Sequence, residues 1–236
     1  MKELVPAGKL RVGVAVAPSA SPLFVVKDKD GQPRGVTVDL AHELAHELGV
    51  PLEFMIAPNT GELVDALEAG RIDVSFMPVD DERRKRIDFG PVYFEVESTY
   101  MVTQASGIST VNEVDRPGVR VVGIAGTTTI RASGRTLKNT TVNAAQSIGE
   151  AIEMMTTGKA DAFALSRDSL PPFVKQIPGS CIVEGGFQQT GVAVAVPKGR
   201  PDALAYVTGF IDAAKESGLV REAFDRAGLN DLDVAP

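Results

Sequence analysis

The chain has no tryptophan, three tyrosines, two histidines and one cysteine. Cys181 stands alone, so no internal disulfide can form, and cysteine usage leaves the redox compartment open. With so few aromatic rings, a sugar-stacking groove is not expected. Basic residues are outnumbered, 24 Lys and Arg against 31 Asp and Glu, for a net charge of −7. A nucleic-acid binder would show the opposite balance, so no nucleic-acid partner is expected. No apolar run approaches the ~18 residues of a membrane-spanning helix. Met1–Pro6 lacks the apolar core of a secretory signal, which leaves a cytosolic protein or a mature form with an added start methionine. What is present is an ordinary globular composition, 44% hydrophobic over 236 residues. That is enough for one large domain or two lobes.

Read in order, the chain alternates strands and helices. Leu10–Val16 reads as a buried strand, Ala17–Pro22 as a small-residue loop, and Phe24–Val26 as a second short strand. Asp28–Gly31 suits a hairpin turn. Asp39 is the expected cap of a helix ending at Gly49, with Leu40, Ala41, Leu44, Ala45 and Leu48 on one face. A strand over Pro51–Ile56 precedes a helix capped by Asn59 and Glu62 and ending near Gly70. Further on, Thr110 and Glu113 suit a second capping box, Val119–Ala125 is β-rich, and Ser147 caps a helix through Thr157. Pro201 opens an amphipathic helix to about Ser217, a short helix reaches Ala227, and the tail from Asn230 is expected to be loose. Gly158-Lys-Ala-Asp-Ala-Phe-Ala164 echoes Gly70-Arg-Ile-Asp-Val-Ser-Phe76. In both, a helix ends at glycine and a strand begins after an aspartate. One pattern used twice argues for two similarly wound α/β lobes.

The most informative stretch is Val79–Tyr93. It follows the strand Ile72–Met77, which Pro78 stops. Asp80 or Asp81 can cap a single turn carrying Arg83, Arg84, Lys85 and Arg86. Four adjacent cations cannot share one face, so Arg84, Lys85 and Arg86 read as solvated. Arg83 falls nearest the carboxyl edge of the strand, where open α/β sheets hold ligands, and its guanidinium offers a planar fork for a carboxylate.

Asp81-Glu82-Arg83, followed by Ile87-Asp88-Phe89 and Pro91-Val92-Tyr93, resembles the signature of extracytoplasmic solute-binding proteins of ABC importers, in the family 3, polar amino-acid branch. Gly35–Ala41, Glu47-Leu48-Gly49 and Leu67–Asp73 are similar to the first lobe of that family. The resemblance implies a type II periplasmic-binding-protein fold, two lobes each with a mostly parallel sheet flanked by helices. The lobes would comprise 1–101 with 195–236, and 102–194, joined by strands crossing near Thr99–Thr103 and Val192–Ala195. It implies that Arg83 clamps a ligand carboxylate and that Gly126-Thr127-Thr128 supplies the opposing hydrogen bonds from the second lobe. On its own spacing, the same loop reads equally as a small anion nest or a plain strand-to-helix turn.

Two features depart from simple expectation. His42-Glu-Leu-Ala-His46 has the H-E-x-x-H form of a zinc helix, but the apolar stripe centres away from both histidines and places them on the solvent face. No metal or other cofactor is expected. Relatives of the resembled family also carry an aspartate, paired with the ligand ammonium, where this chain has Ser166. Asp80 or Asp168 would serve instead, or the ligand is not a simple α-amino acid. Arg167 either adds a carboxylate contact or faces water, and Asp80 reads equally as a cap. Apolar contacts to the ligand would come from Phe76, Pro18, Leu23 and Phe24, or these are core, and Pro78 lies beside them.

The reading is thus a monomeric binding protein for a small carboxylate-bearing solute, working by hinge closure with the membrane subunits of an ABC importer as partner, outside the cytoplasm. The resemblance leaves as rivals a cyclohexadienyl-dehydratase-like enzyme on the same scaffold, the effector-binding half of a transcription regulator, and last a zinc hydrolase.

Overall fold

The computed structural model describes residues 2–16 and 21–236, so the expectation for Pro18 lies outside the described residues. In chain order the elements are β1 (Leu10–Ala15), β2 (Val26–Lys27), β3 (Pro33–Arg34), α1 (Val36–Leu48), β4 (Leu52–Ala57), α2 (Thr60–Glu68), β5 (Val74–Pro78), α3 (Asp81–Arg84) and β6 (Ile87–Val102). They continue with β7 (Val121–Ile124), α4 (Thr128–Thr136), β8 (Val142–Ala145), α5 (Ile148–Thr156), β9 (Ala162–Ser166) and α6 (Pro171–Val174). The chain closes with β10 (Cys181–Ile182), β11 (Gln188–Pro197), α7 (Pro201–Glu216) and α8 (Leu219–Arg226). This is the α/β order expected. Two compact units result, Met1–Glu95 with Gly191–Pro236, and Val96–Thr190. The chain passes between them along β6 and along β11.

In the first unit β4, β1 and β5 pair in parallel, and β11 adds an antiparallel strand against β5. Pro78 does not stop β5 but closes it, opposite Val192. Helix α2 packs Leu63, Val64 and Leu67 against Ala15, Ile72 and Met77. The sheet here approaches α2 closely enough that a Cβ on Gly13 would lie 2.7 Å from Leu63. In the second unit β8, β7 and β9 pair in parallel, and β6 runs antiparallel to β9. The two-residue period of β9 is visible in its packing. Phe163 and Leu165 join the cluster holding Met155 of α5 and Phe173 of α6, while Ala162 and Ala164 join the opposite cluster with Tyr100 and Val121.

Several local expectations hold. Asn59, Asp80 and Ser147 each accept a hydrogen bond from a backbone N–H three residues on, and Thr110 with Glu113 forms a full capping box. Others are corrected. Helix α1 starts at Val36, not after Asp39, because Gly35 at φ 134° provides the cap, a conformation costly for any residue with a Cβ. Asp39 instead pairs with Arg226 at 2.9 Å. The second short strand is Val26–Lys27 rather than Phe24–Val26, since Thr37 Oγ1 takes the Phe24 carbonyl. The tail is tied down: the Ala235 N–H donates to the Tyr93 carbonyl at 3.0 Å, and Lys215 Nζ donates to the Pro236 carbonyl at 2.6 Å.

Candidate functional site

In the first unit the carboxyl edge of the parallel strands gathers Phe76, Pro78, Asp80 and Arg83. Phe76 is buried in β5, its ring edge-on to Tyr93 with centroids 6.0 Å apart. Pro78 ends the strand, and Asp80 caps α3 by accepting the Arg83 N–H at 2.9 Å. The short turn thereby aims the Arg83 side chain back toward the strand ends. Its Nη1 donates to the Pro78 carbonyl and its Nη2 to Thr60 Oγ1, both at 2.6 Å. The guanidinium thus spans the end of β5 and the first residue of α2, and only 4% of the residue is exposed. Both of these bonds go to uncharged oxygens. Arg84, Lys85 and Arg86 are exposed, as expected. They are nevertheless engaged: Lys85 pairs with Glu82, Arg86 with Asp65 and Glu68, and Arg84 lies over the Phe89 ring.

In the second unit the corresponding edge carries hydroxyls. Thr127 is the N-cap of α4: its Oγ1 donates to the Ile124 carbonyl at 2.8 Å and accepts the Ile130 N–H at 3.2 Å. Its side chain is therefore committed to the turn. Thr128, the first residue of α4, is 7% exposed, and Gly126 before it takes φ 74°. Ser166 ends β9, 5% exposed, and donates to Ser169 Oγ at 2.9 Å. Ser169 in turn donates to Asp168 Oδ2 at 3.4 Å. Arg167 is held by Glu97, which faces it across the end of β6, and by the Gly185 carbonyl at 2.9 Å. A Cβ on Gly186 would lie 2.5 Å from the Glu97 side chain, so this glycine makes room for the carboxylate.

The structure therefore brings Phe76, Pro78, Asp80 and Arg83 to one edge of the first unit. It brings Thr127, Thr128, Ser166, Arg167 and Asp168 to the equivalent edge of the second. Leu23 and Phe24 are buried. Thr60, Glu97 and Ser169 were missed by the sequence reading. Ser169 was within reach as one more hydroxyl beside Asp168, but nothing in the spacing ties Thr60 to Arg83 or Glu97 to Arg167. His42 and His46 are exposed, and the His42 and Phe54 rings meet in a T-shaped arrangement with centroids 5.6 Å apart. Among the described residues no three His, Cys, Asp or Glu gather as a metal site. Nor is any described helix long and apolar enough to cross a membrane.

Comparison with known proteins agrees with this architecture. The model of a family described as bacterial extracellular solute-binding proteins, family 3, matches residues 12–228. An L-arginine-binding protein of Pseudomonas aeruginosa is 26% identical over 229 residues, 92% of this chain and 86% of that protein. The crystal structure of a mutant of ArgBP from T. maritima aligns with a TM-score of 0.79 at 27% identity, over 95% of this chain and 97% of that one. An ancestral amino acid-binding protein, described as a precursor of cyclohexadienyl dehydratase, aligns with a TM-score of 0.77 at 29% identity, over 95% and 97%.

Proposed function

Because the chain belongs to the bacterial extracellular solute-binding proteins, family 3, we propose that it captures a small carboxylate-bearing solute, an amino acid or close analogue. The solute would be delivered to the membrane subunits of an ABC importer outside the cytoplasm, by a monomer that closes on its ligand. The observation that carries this reading is Arg83. A guanidinium 4% exposed at the carboxyl edge of a parallel sheet, oriented by a carbonyl and a hydroxyl, is a preorganised site for a carboxylate. Thr128 and the N–H groups at the start of α4 are the second unit's own donors for a carboxylate, with Thr127 holding the turn in shape. Phe76 and Pro78 supply apolar surface, and Asp80 sets the pose of Arg83. The names of the Pseudomonas and Thermotoga relatives point to the same ligand class.

A second reading, a dehydratase-like enzyme, draws support from the ancestral neighbour described as a precursor of such an enzyme. It needs a carboxyl group free to act as a general acid. Glu97 is engaged by Arg167 and Asp168 accepts from Ser169, which favours binding over turnover.

The test is a thermal-shift screen of amino acids, opines and small carboxylates, together with prephenate turnover. A ligand at 100 times its Kd stabilises by about 2.7 kcal/mol. A shift with one or a few related solutes, absent in Arg83→Ala, is the expected result. Turnover of prephenate, or shifts only with solutes lacking a carboxylate, overturns the reading.

A further inference from the structure

We propose that the second unit carries a separate site for an alkylated ammonium ion, in the cavity bordered by Tyr100, Val111, Asn112, Asp115, Leu137 and Phe187. The cavity holds about 360 Å³, the size of a small-ligand pocket, and lies wholly within Val96–Thr190. It is remote from the carboxyl edge. Helix α4 has nine residues and starts at Thr128, so its last turn, which borders the cavity, is about 12 Å along the axis from that edge. The cavity is therefore independent of whatever the carboxyl edge binds.

Asp115 selects the charge of the ligand. It is half-buried. Its Oδ1 accepts the Lys138 and Asn139 backbone N–H groups at 2.9 and 2.7 Å, and its Oδ2 the Asn139 side-chain amide at 3.1 Å. These amides, that of the Asn139 backbone foremost, hold the carboxyl below its usual range, so it is ionised at neutral pH. Every one of these donors is neutral. No lysine or arginine among the described residues pairs with Asp115, whereas Asp28, Asp39, Asp73 and Asp161 each have an arginine. A carboxylate with its acceptor positions mostly taken and its charge uncompensated suits a cation that needs no hydrogen bond. A quaternary ammonium is such a cation.

The other walls match its apolar shell. Phe187 is half-buried and lies against Tyr100, ring centroids 4.6 Å apart. The Phe187 N–H donates to the Ser98 carbonyl at 2.9 Å, and the Tyr100 hydroxyl is bonded with Ser133 Oγ at 2.9 Å, so both rings are fixed. Aromatic faces attract cations, quaternary ammonium ions among them. Val111 and Leu137 add apolar surface for the alkyl groups. The carbonyl end of α4 contributes partial negative charge. An inorganic cation would meet rings and methyl groups where it needs oxygen ligands.

The test is an NMR titration of the nitrogen-labelled protein with choline and with its uncharged analogue, in which carbon replaces nitrogen, at constant ionic strength. Choline is expected to bind saturably in the millimolar range or tighter, at least ~10-fold better than the analogue. It should move the amide signals of Asp115, Leu137 and Phe187 but not those of Arg83 and Thr128. Asp115→Asn should abolish the preference for the charged probe. Phe187→Leu keeps the wall apolar but removes its π face, and should narrow the preference by a few-fold. A merely structural role would weaken both probes alike. The spectrum of each variant reports its folding, and if Asp115→Asn does not fold, Phe187→Leu alone decides. Equal binding of the two probes, no saturable binding, or shifts confined to Arg83 and Thr128 overturns the site. So does a preference that a folded variant leaves unchanged.

Discussion

The two units use one strand-helix plan with different chemistry at equivalent places. Each has a parallel trio flanked by an antiparallel strand, and each locks the trio at its amino edge with an arginine–aspartate pair. Arg11 at the start of β1 holds Asp73 before β5 through its backbone N–H, Nε and Nη2, at 3.1, 2.8 and 2.6 Å. Arg120 before β7 holds Asp161 before β9 through the same three donors, at 2.9, 2.9 and 2.7 Å. The wiring is the same but the surroundings are not. The Asp73 side chain is 0% exposed and Arg200 also approaches it, at 3.7 Å, whereas Arg120 is about half exposed. At the carboxyl edges the contrast is larger: the first unit presents a buried cation and the second a row of hydroxyls. A repeated fold motif therefore carries neither a fixed energetic weight nor a fixed role in binding.

The largest expected effect lies at the carboxyl edges. Arg83→Ala should weaken solute binding by at least ~30-fold, because losing one member of a desolvated charge pair costs about 2–5 kcal/mol. Thr128→Val should cost only about 1 kcal/mol, the worth of a neutral hydrogen bond. Calorimetry on both variants checks this, and equal losses would remove the division of labour between cation and hydroxyl.

At the amino edges, Asp73→Asn should destabilise the protein by about 3 kcal/mol, since it breaks buried, charge-assisted bonds. Asp161→Asn should cost about 1 kcal/mol, its partner being largely solvated. Urea unfolding of the two variants measures the gap; similar losses would show that burial does not set the weight of this pair.

The pair in the second unit also predicts acid behaviour. The Arg120 guanidinium, bonded to Asp161, holds that carboxyl below its usual range. A depressed native pKa gives stability that is complete above the unfolded value near 4 and is lost as pH falls through the lower native value. Asp161→Asn should therefore lose stability at pH 6 and lose progressively less as pH falls below about 4, and urea midpoints along that series check the convergence.

The smallest effects should be equal in the two units. Asn59→Ala and Ser147→Ala each remove a cap from the helix after the second parallel strand, where the Glu62 and Glu150 N–H groups donate at 2.9 and 3.1 Å. Each should cost about 1 kcal/mol. A difference above about 1 kcal/mol in unfolding would show that even the local caps depend on their unit.

Much of this was legible from residues close together in the chain. Caps at Asn59, Asp80, Thr110 and Ser147 act over three residues, so spacing alone exposes them, and apolar runs with glycine stops outline most of the strands and helices. The echo of Gly70–Phe76 in Gly158–Ala164 anticipated the doubled plan, and the likeness of the Arg83 stretch to family 3 is borne out by the match over 12–228. Local cues compete at the start of α1. Asp39 looked like a cap, but Gly35 alone reaches the positive φ that lets α1 begin earlier, leaving Asp39 to Arg226.

The order of elements, the paired architecture and the address of Arg83 were determined by the sequence itself, because periodicity, capping and turn chemistry act within a few residues. Only the tertiary structure decided what those side chains touch. Thr60 comes to Arg83 across 23 residues because parallel pairing collects the ends of β4 and β5 at one edge, and Glu97 comes to Arg167 across 70 because β6 pairs antiparallel with β9. The hydrogen bonds from Ser166 to Ser169 and from Ser169 to Asp168 were equally hidden, because only the fold decides which hydroxyl turns toward the carboxylate.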